Sequence, residues 1–173
     1  MFFLVQESLK KVFFKLILLS VVGIISSLNA VDYSGEKSYS IKLPYKACTV
    51  SPIPREALEA GIIPINTAKA KKFFIEGALF YDARKKSDYS KAHIKDAKPI
   101  IFDDSKAKHT LISLPKSLER NMIFYCYGDS CASSYEAALS VLKHGYKNVF
   151  WYVNGFDDWK KKGYPVESSK LND

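Results

Sequence analysis

Arginine is scarce in this chain. Of 26 basic residues in 173, only Arg55, Arg84 and Arg120 are arginines, and scattered lysines supply the rest of a formal charge of +8. No stretch gathers basic and aromatic residues together, so the excess charge reads as solubility and no nucleic-acid partner is expected. Cysteine is scarce as well: Cys48, Cys126 and Cys131 are too few for a disulfide-built miniprotein. With 8 glycines, 7 prolines and no repeat or low-complexity tract, a collagen or a disordered chain is excluded. No two His or Cys stand at a zinc spacing, and no metal site is assigned; Cys126 with Cys131 offers only a soft-ion alternative such as copper.

What is present fits one globular domain behind a leader. Lys10, Lys11 and Lys15 precede an uncharged apolar run from Leu16 to Ile25, and small and polar residues then lead to Ala30. This is the three-part pattern of a secretory signal over residues 1–30, which predicts an exported, periplasmic protein. The apolar run is short of the roughly 20 residues that span a bilayer, so membrane contact is expected only if the leader stays uncleaved. No cysteine near Ala30 suggests a lipid anchor. Export means an oxidising compartment, where three thiols leave at least one free, modified or transiently paired. Two cysteines five positions apart at a strand end are poorly spaced for a structural disulfide unless the loop brings their Cα atoms within about 7 Å.

Residues 31–60 carry Tyr33-Ser34-Gly35, Pro44, Pro52 and Pro54 and read as an irregular extension. From Gly61 to residue 168, short β runs alternate with amphipathic helical runs, which predicts an α/β domain with a mostly parallel sheet flanked by helices; residues 169–173 are a tail. Strands are expected at Ile62 to Ile65, Ala78 to Tyr81, Pro99 to Phe102, Met122 to Tyr125 and Val149 to Val153. Helices are expected after Asn66 or Thr67 through Glu76, at Ser87 to Lys91, from Ser133 to His144, and from Phe156 to Lys162.

The chemistry concentrates in Phe124-Tyr125-Cys126-Tyr127-Gly128-Asp129-Ser130-Cys131-Ala132-Ser133-Ser134. A thiol where a strand ends and a helix begins lies near unpaired backbone N–H groups and the positive end of a helix dipole, both of which favour the thiolate. The amides of Tyr127, Gly128, Asp129, Ser130, Cys131 and Ala132 would serve as an anion cradle, with Gly128 letting the backbone curl. The bland alternative for Cys126 is an inert small hydrophobe closing a buried strand.

Three stretches resemble the rhodanese, or thiosulfate sulfurtransferase-like, family: Tyr81-Asp82-Ala83-Arg84 with Tyr89, Ala92-His93-Ile94 and Ala97; the Cys126 loop; and Gly145-Tyr146-Lys147-Asn148-Val149 through Gly155-Phe156, Trp159, Gly163 and Pro165-Val166. The resemblance implies a small central parallel sheet, with Cys126 at the catalytic position, carrying a persulfide between a sulfur donor and a thiol or cyanide-like acceptor. It implies no organic cofactor, and it gives Asp82, Arg84 and His93 supporting roles. An exported subgroup with a second loop cysteine is similar at Cys126, Gly128, Cys131, Ser134-Tyr135 and Ala137-Ala138.

Departures narrow the expectation. Many members carry Arg where Cys131 stands, and this loop offers Asp129 but no cation, so an anionic donor such as thiosulfate is poorly served. A related phosphatase or arsenate-reductase chemistry needs Arg where Ala132 stands. Cys131 is either a small residue facing the helix or a second thiol that attacks a Cys126 persulfide, which would make the pair a thiol–disulfide redox centre. A non-catalytic binding module is the third alternative. The sequence does not fix oligomeric state.

Overall fold

The computed structural model describes residues 37–44, 55–102 and 109–169. The expected leader, and residues 31–36 and 45–54 of the expected extension with Cys48 among them, lie outside these residues. Fifteen elements follow in chain order: β1 (Ser38–Pro44), α1 (Arg55–Glu59), β2 (Ile63–Ile65), α2 (Thr67–Ile75), β3 (Leu79–Asp82), α3 (Lys86–Lys91), β4 (His93–Ile94), β5 (Lys98–Pro99), β6 (Ile101–Phe102), β7 (His109–Pro115), β8 (Met122–Tyr125), α4 (Ser133–Lys143), β9 (Val149–Tyr152), α5 (Gly155–Lys161) and β10 (Val166–Glu167).

Five strands form an all-parallel sheet in the order β2-β9-β8-β3-β5, with β8 in the middle. Its strands read as continuous apolar runs because helices cover both faces. Alternate side chains of each strand enter separate layers. Tyr81, Phe124 and Trp151 pack with Ala137, Ala138 and Val141 of α4, whereas Phe80, Tyr125 and Tyr152 pack with Phe73 of α2 and with Phe156 and Trp159 of α5. Buried rings bring their polar tips to partners: Trp151 donates to Ser134 Oγ at 3.1 Å and Trp159 to the Pro165 carbonyl at 3.0 Å. The Asn66 side chain caps α2 by accepting from the Lys69 amide.

Two expectations need correction. Residues 31–60 are not irregular throughout: Ser38–Pro44 is a seven-residue strand, antiparallel to β7 along its whole length, and α1 follows. The run Ser-Tyr-Ser-Ile-Lys-Leu alternates polar and apolar with the period of a strand, and the nearby prolines obscure it. The single strand expected over Pro99 to Phe102 divides at Ile100: Lys98–Pro99 joins the parallel sheet, and Ile101–Phe102 pairs with β7 in a separate antiparallel sheet.

Candidate active site

The central strand carries the site. All four residues of β8 are buried, and the chain leaves the sheet at Cys126, crosses the six residues 127–132, and enters α4 at Ser133. Because α4 packs on the sheet just beside β8, the loop must turn tightly. The Cys131 amide closes that turn by donating to the Gly128 carbonyl at 3.2 Å. The opposite side of the loop is docked on α5, whose Phe156 and Asp157 amides donate to the carbonyls of Cys126 (2.9 Å) and Tyr127 (3.2 Å). Two of the orphan donors at the start of α5 are thereby satisfied by the loop that holds the cysteine.

That turn has a covalent consequence. Cys126 and Cys131 are joined in a disulfide with their Cα atoms 6.0 Å apart, inside the reach that such a bond requires. The expectation of a thiolate at Cys126 is therefore corrected: its sulfur is bonded to that of Cys131, and the two residues are buried, 1% and 4% exposed. The exception left open by the spacing argument applies, because the turn brings the two Cα atoms within about 7 Å. The amide cradle shrinks as well, since the Cys131 amide is spent within the loop. Asp129 and Ser130 form the exposed tip, while Tyr127 and Gly128 are half-buried.

Beside the loop lies a buried polar network. Arg84 grips Asp82 through Nε (3.1 Å to each carboxylate oxygen) and through a terminal nitrogen at 2.7 Å, and donates from that nitrogen to the Ala92 carbonyl at 2.6 Å. The guanidinium also lies 3.7 Å from the Phe156 ring centre. Burial works against its charge, and the Asp82 carboxylate offsets this, so Arg84 is held above its usual range. Tyr125 completes the network: its hydroxyl donates to Asp82 at 2.7 Å and accepts from the Ile94 amide at 3.2 Å. Burial, with the Asp82 charge second, pushes the Tyr125 phenol well up. Sequence reading selected Asp82 and Arg84 but missed Tyr125; a tyrosine in a wholly buried strand is the signal, since its hydroxyl needs a partner.

Tyr127 extends the link to the surface. Its hydroxyl donates to the Asp88 carboxylate at 2.5 Å, and burial followed by this bond pushes its pKa up to about 12. His93 is buried on β4, opposite Glu167 of β10: Nδ1 faces the Tyr89 carbonyl at 2.8 Å, Nε2 faces the Glu167 carboxylate at 3.2 Å, and the ring stacks on Tyr89. Among the described residues, no three His, Cys, Asp or Glu side chains are grouped to hold a metal ion. The disulfide leaves neither loop sulfur as a thiolate ligand.

A parallel α/β domain whose central strand delivers a cysteine into the loop before a helix defines the class. The rhodanese-like domain profile matches residues 66–162, and the chain belongs to that family. A thiosulfate sulfurtransferase, GlpE, of Haemophilus influenzae is 26% identical over 105 residues, covering 61% of this chain and 94% of the relative. Similar solved structures include a polysulfide-sulfur transferase homodimer from Wolinella succinogenes (15% identity, 66% of this chain, 86% of that one, TM-score 0.48). Another is a Rhodopseudomonas palustris protein described as a possible tyrosine phosphatase (21% identity, 71% and 99%, TM-score 0.49).

Proposed function

We propose that the protein is an exported sulfurtransferase of rhodanese type, moving a sulfane sulfur through a persulfide on Cys126. The observation that carries this reading is Cys126 itself, closing the central strand β8 within the family-matched segment. The sulfurtransferase named among the relatives adds weight. The reaction begins from the reduced loop. The Cys126 thiolate attacks the outer sulfur of the donor, the donor's bond to that sulfur breaks, and its electron pair leaves with the donor residue. A thiol or cyanide-like acceptor then takes the outer sulfur and returns the thiolate. Substrate is thus a small sulfur-containing anion or thiol, and no organic cofactor enters. Tyr127, Gly128, Asp129, Ser130, Cys131 and Ala132 line the approach, while Asp82, Arg84 and His93 act as structural supports.

The Cys126–Cys131 bond favours a second reading, a thiol–disulfide redox protein that cycles these two thiols without carrying sulfur. Intact-mass measurement separates the two. Full-length protein is reduced, freed of reductant, and incubated with thiosulfate or polysulfide. One added sulfur, removable by cyanide, is expected in Cys131→Ser and absent from Cys126→Ser. No adduct with either donor sinks the sulfur-transfer reading.

A further inference from the structure

We infer that Cys131 is a second catalytic residue that resolves the Cys126 persulfide, so that the site releases sulfide and draws its electrons from a dithiol. The inference rests on the persulfide reading above and adds the product and the co-substrate. Three observations carry it. The two sulfurs already meet, so the reduced Cys131 thiol lies within bonding reach of the inner persulfide sulfur. Cys126 is 1% exposed, which shields its own Sγ, the inner persulfide sulfur, from an external thiol but not from one already inside the loop. The loop is held at both ends, by the α5 amides on Cys126 and Tyr127 and by the bond from the Cys131 amide to Gly128, so the encounter is intramolecular and oriented. Cys131 also stands two residues before α4, an eleven-residue helix whose N-terminal dipole favours the thiolate it must present.

The steps balance. With an organic persulfide, the Cys126 thiolate takes the outer SH group and expels the donor thiolate. The Cys131 thiolate then attacks Cys126 Sγ, the bond between that atom and the outer sulfur breaks, and hydrosulfide leaves with the electron pair. A Cys126–Cys131 disulfide remains. A dithiol supplies two electrons and two protons through thiol exchange, restoring both thiols and becoming a disulfide itself. The structure corresponds to the state after sulfide release.

The test uses full-length protein carrying Cys48→Ser, reduced, freed of reductant, and mixed with cysteine persulfide. The parent should release one sulfide per chain and become two hydrogens lighter, with repeated turnover once dithiothreitol is added. The same protein with Cys131→Ser should keep one added sulfur and release no sulfide over the same interval. The inference is overturned if the parent retains the added sulfur without forming the disulfide, or if Cys131→Ser releases sulfide as fast as the parent. If Cys131→Ser takes up no sulfur at all, the Cys126 persulfide falls, and this inference falls with it.

Discussion

Gly155 opens α5 with φ at +65°, and the space where a side chain would start is already filled by the cysteine loop. A Cβ there would lie 2.5 Å from the Tyr127 carbonyl oxygen and 2.6 Å from that of Cys126. Both are backbone atoms held by the next two amides of the helix, so neither yields as a side-chain tip would. Gly155→Ala therefore adds an overpacking cost of about 1–3 kcal/mol to a left-handed backbone cost of about 1–2 kcal/mol. Gly163 is the internal control: its φ is +67° and nothing lies within 4 Å of its Cβ position, so Gly163→Ala carries the backbone cost alone. Urea unfolding of the three proteins at constant slope should show Gly155→Ala losing at least about 1 kcal/mol more than Gly163→Ala. After reduction, Cys126 should also alkylate faster in Gly155→Ala, because displaced carbonyls open the loop. Equal stability losses would refute the docking of the loop on α5.

Reducing the Cys126–Cys131 bond frees a loop spanning a sequence separation of 5, which should lower stability by about 2 kcal/mol in the chain-entropy account; urea midpoints with and without reductant check this, and coincident curves refute it. Arg84→Met leaves the buried Asp82 carboxylate uncompensated and should cost about 3–5 kcal/mol by the same assay, with Tyr125→Phe costing about 1–2 kcal/mol. The Asp88 carboxyl is held below its usual value, first by the Tyr127 hydroxyl, so its contribution is present above the ordinary carboxylate range and lost as pH falls through its lowered folded value. Tyr127 works in the opposite sense: with a folded pKa of about 12, its contribution is complete below the ordinary tyrosine value and lost as pH rises from there. Thermal midpoints across pH should lose both limbs in Tyr127→Phe, and unchanged limbs would count against the pairing.

The parallel sheet is legible in the sequence because its strands are short apolar runs separated by helices with plain punctuation. Met122 to Tyr125 stands between charged Glu119-Arg120 and the loop, and Gly145 ends the helix that follows. The antiparallel strands β1 and β7 are harder to see. The alternation is present in β1 but broken in β7 by the adjacent Leu111 and Ile112, and neither strand has meaning until the other is found about seventy residues away; pairing over that distance leaves no local mark. The site divides similarly. The position of Cys126 follows from strand, loop and helix order, whereas its bond to Cys131 depends on a turn closed by the Cys131 amide. The Asp82–Arg84 pair is two residues apart and readable; the Tyr125 hydroxyl that joins it reaches across from the neighbouring strand.

The charge at the mouth of the site bears on which donors it accepts. The nearest arginine, Arg84, is fully engaged by Asp82 and the Ala92 carbonyl and is 4% exposed, so it is not available to a thiosulfate anion. Arg120 lies toward the start of β8 and donates to the Gly77 carbonyl, at the far end of the strand from Cys126. The loop's own charged residue is Asp129, exposed at the tip and three positions from the reacting sulfur. For an approach to roughly 7 Å in a water-like dielectric, a unit charge opposes the thiosulfate dianion by about 1.2 kcal/mol, or roughly sevenfold in rate. Asp129→Asn should therefore raise the second-order rate of persulfide formation from thiosulfate about sevenfold at low salt, and Asp129→Lys about fiftyfold. Both gains should shrink as ionic strength rises, because a Debye length of about 8 Å at 0.15 M screens an exposed charge. Stopped-flow or quenched mass measurements on Cys131→Ser, where the adduct cannot be resolved internally, provide the rate. A gain that persists undiminished at high salt would mean that Asp129 acts by shaping the loop, and no gain would mean that the donor reaches Cys126 by a path that avoids the tip.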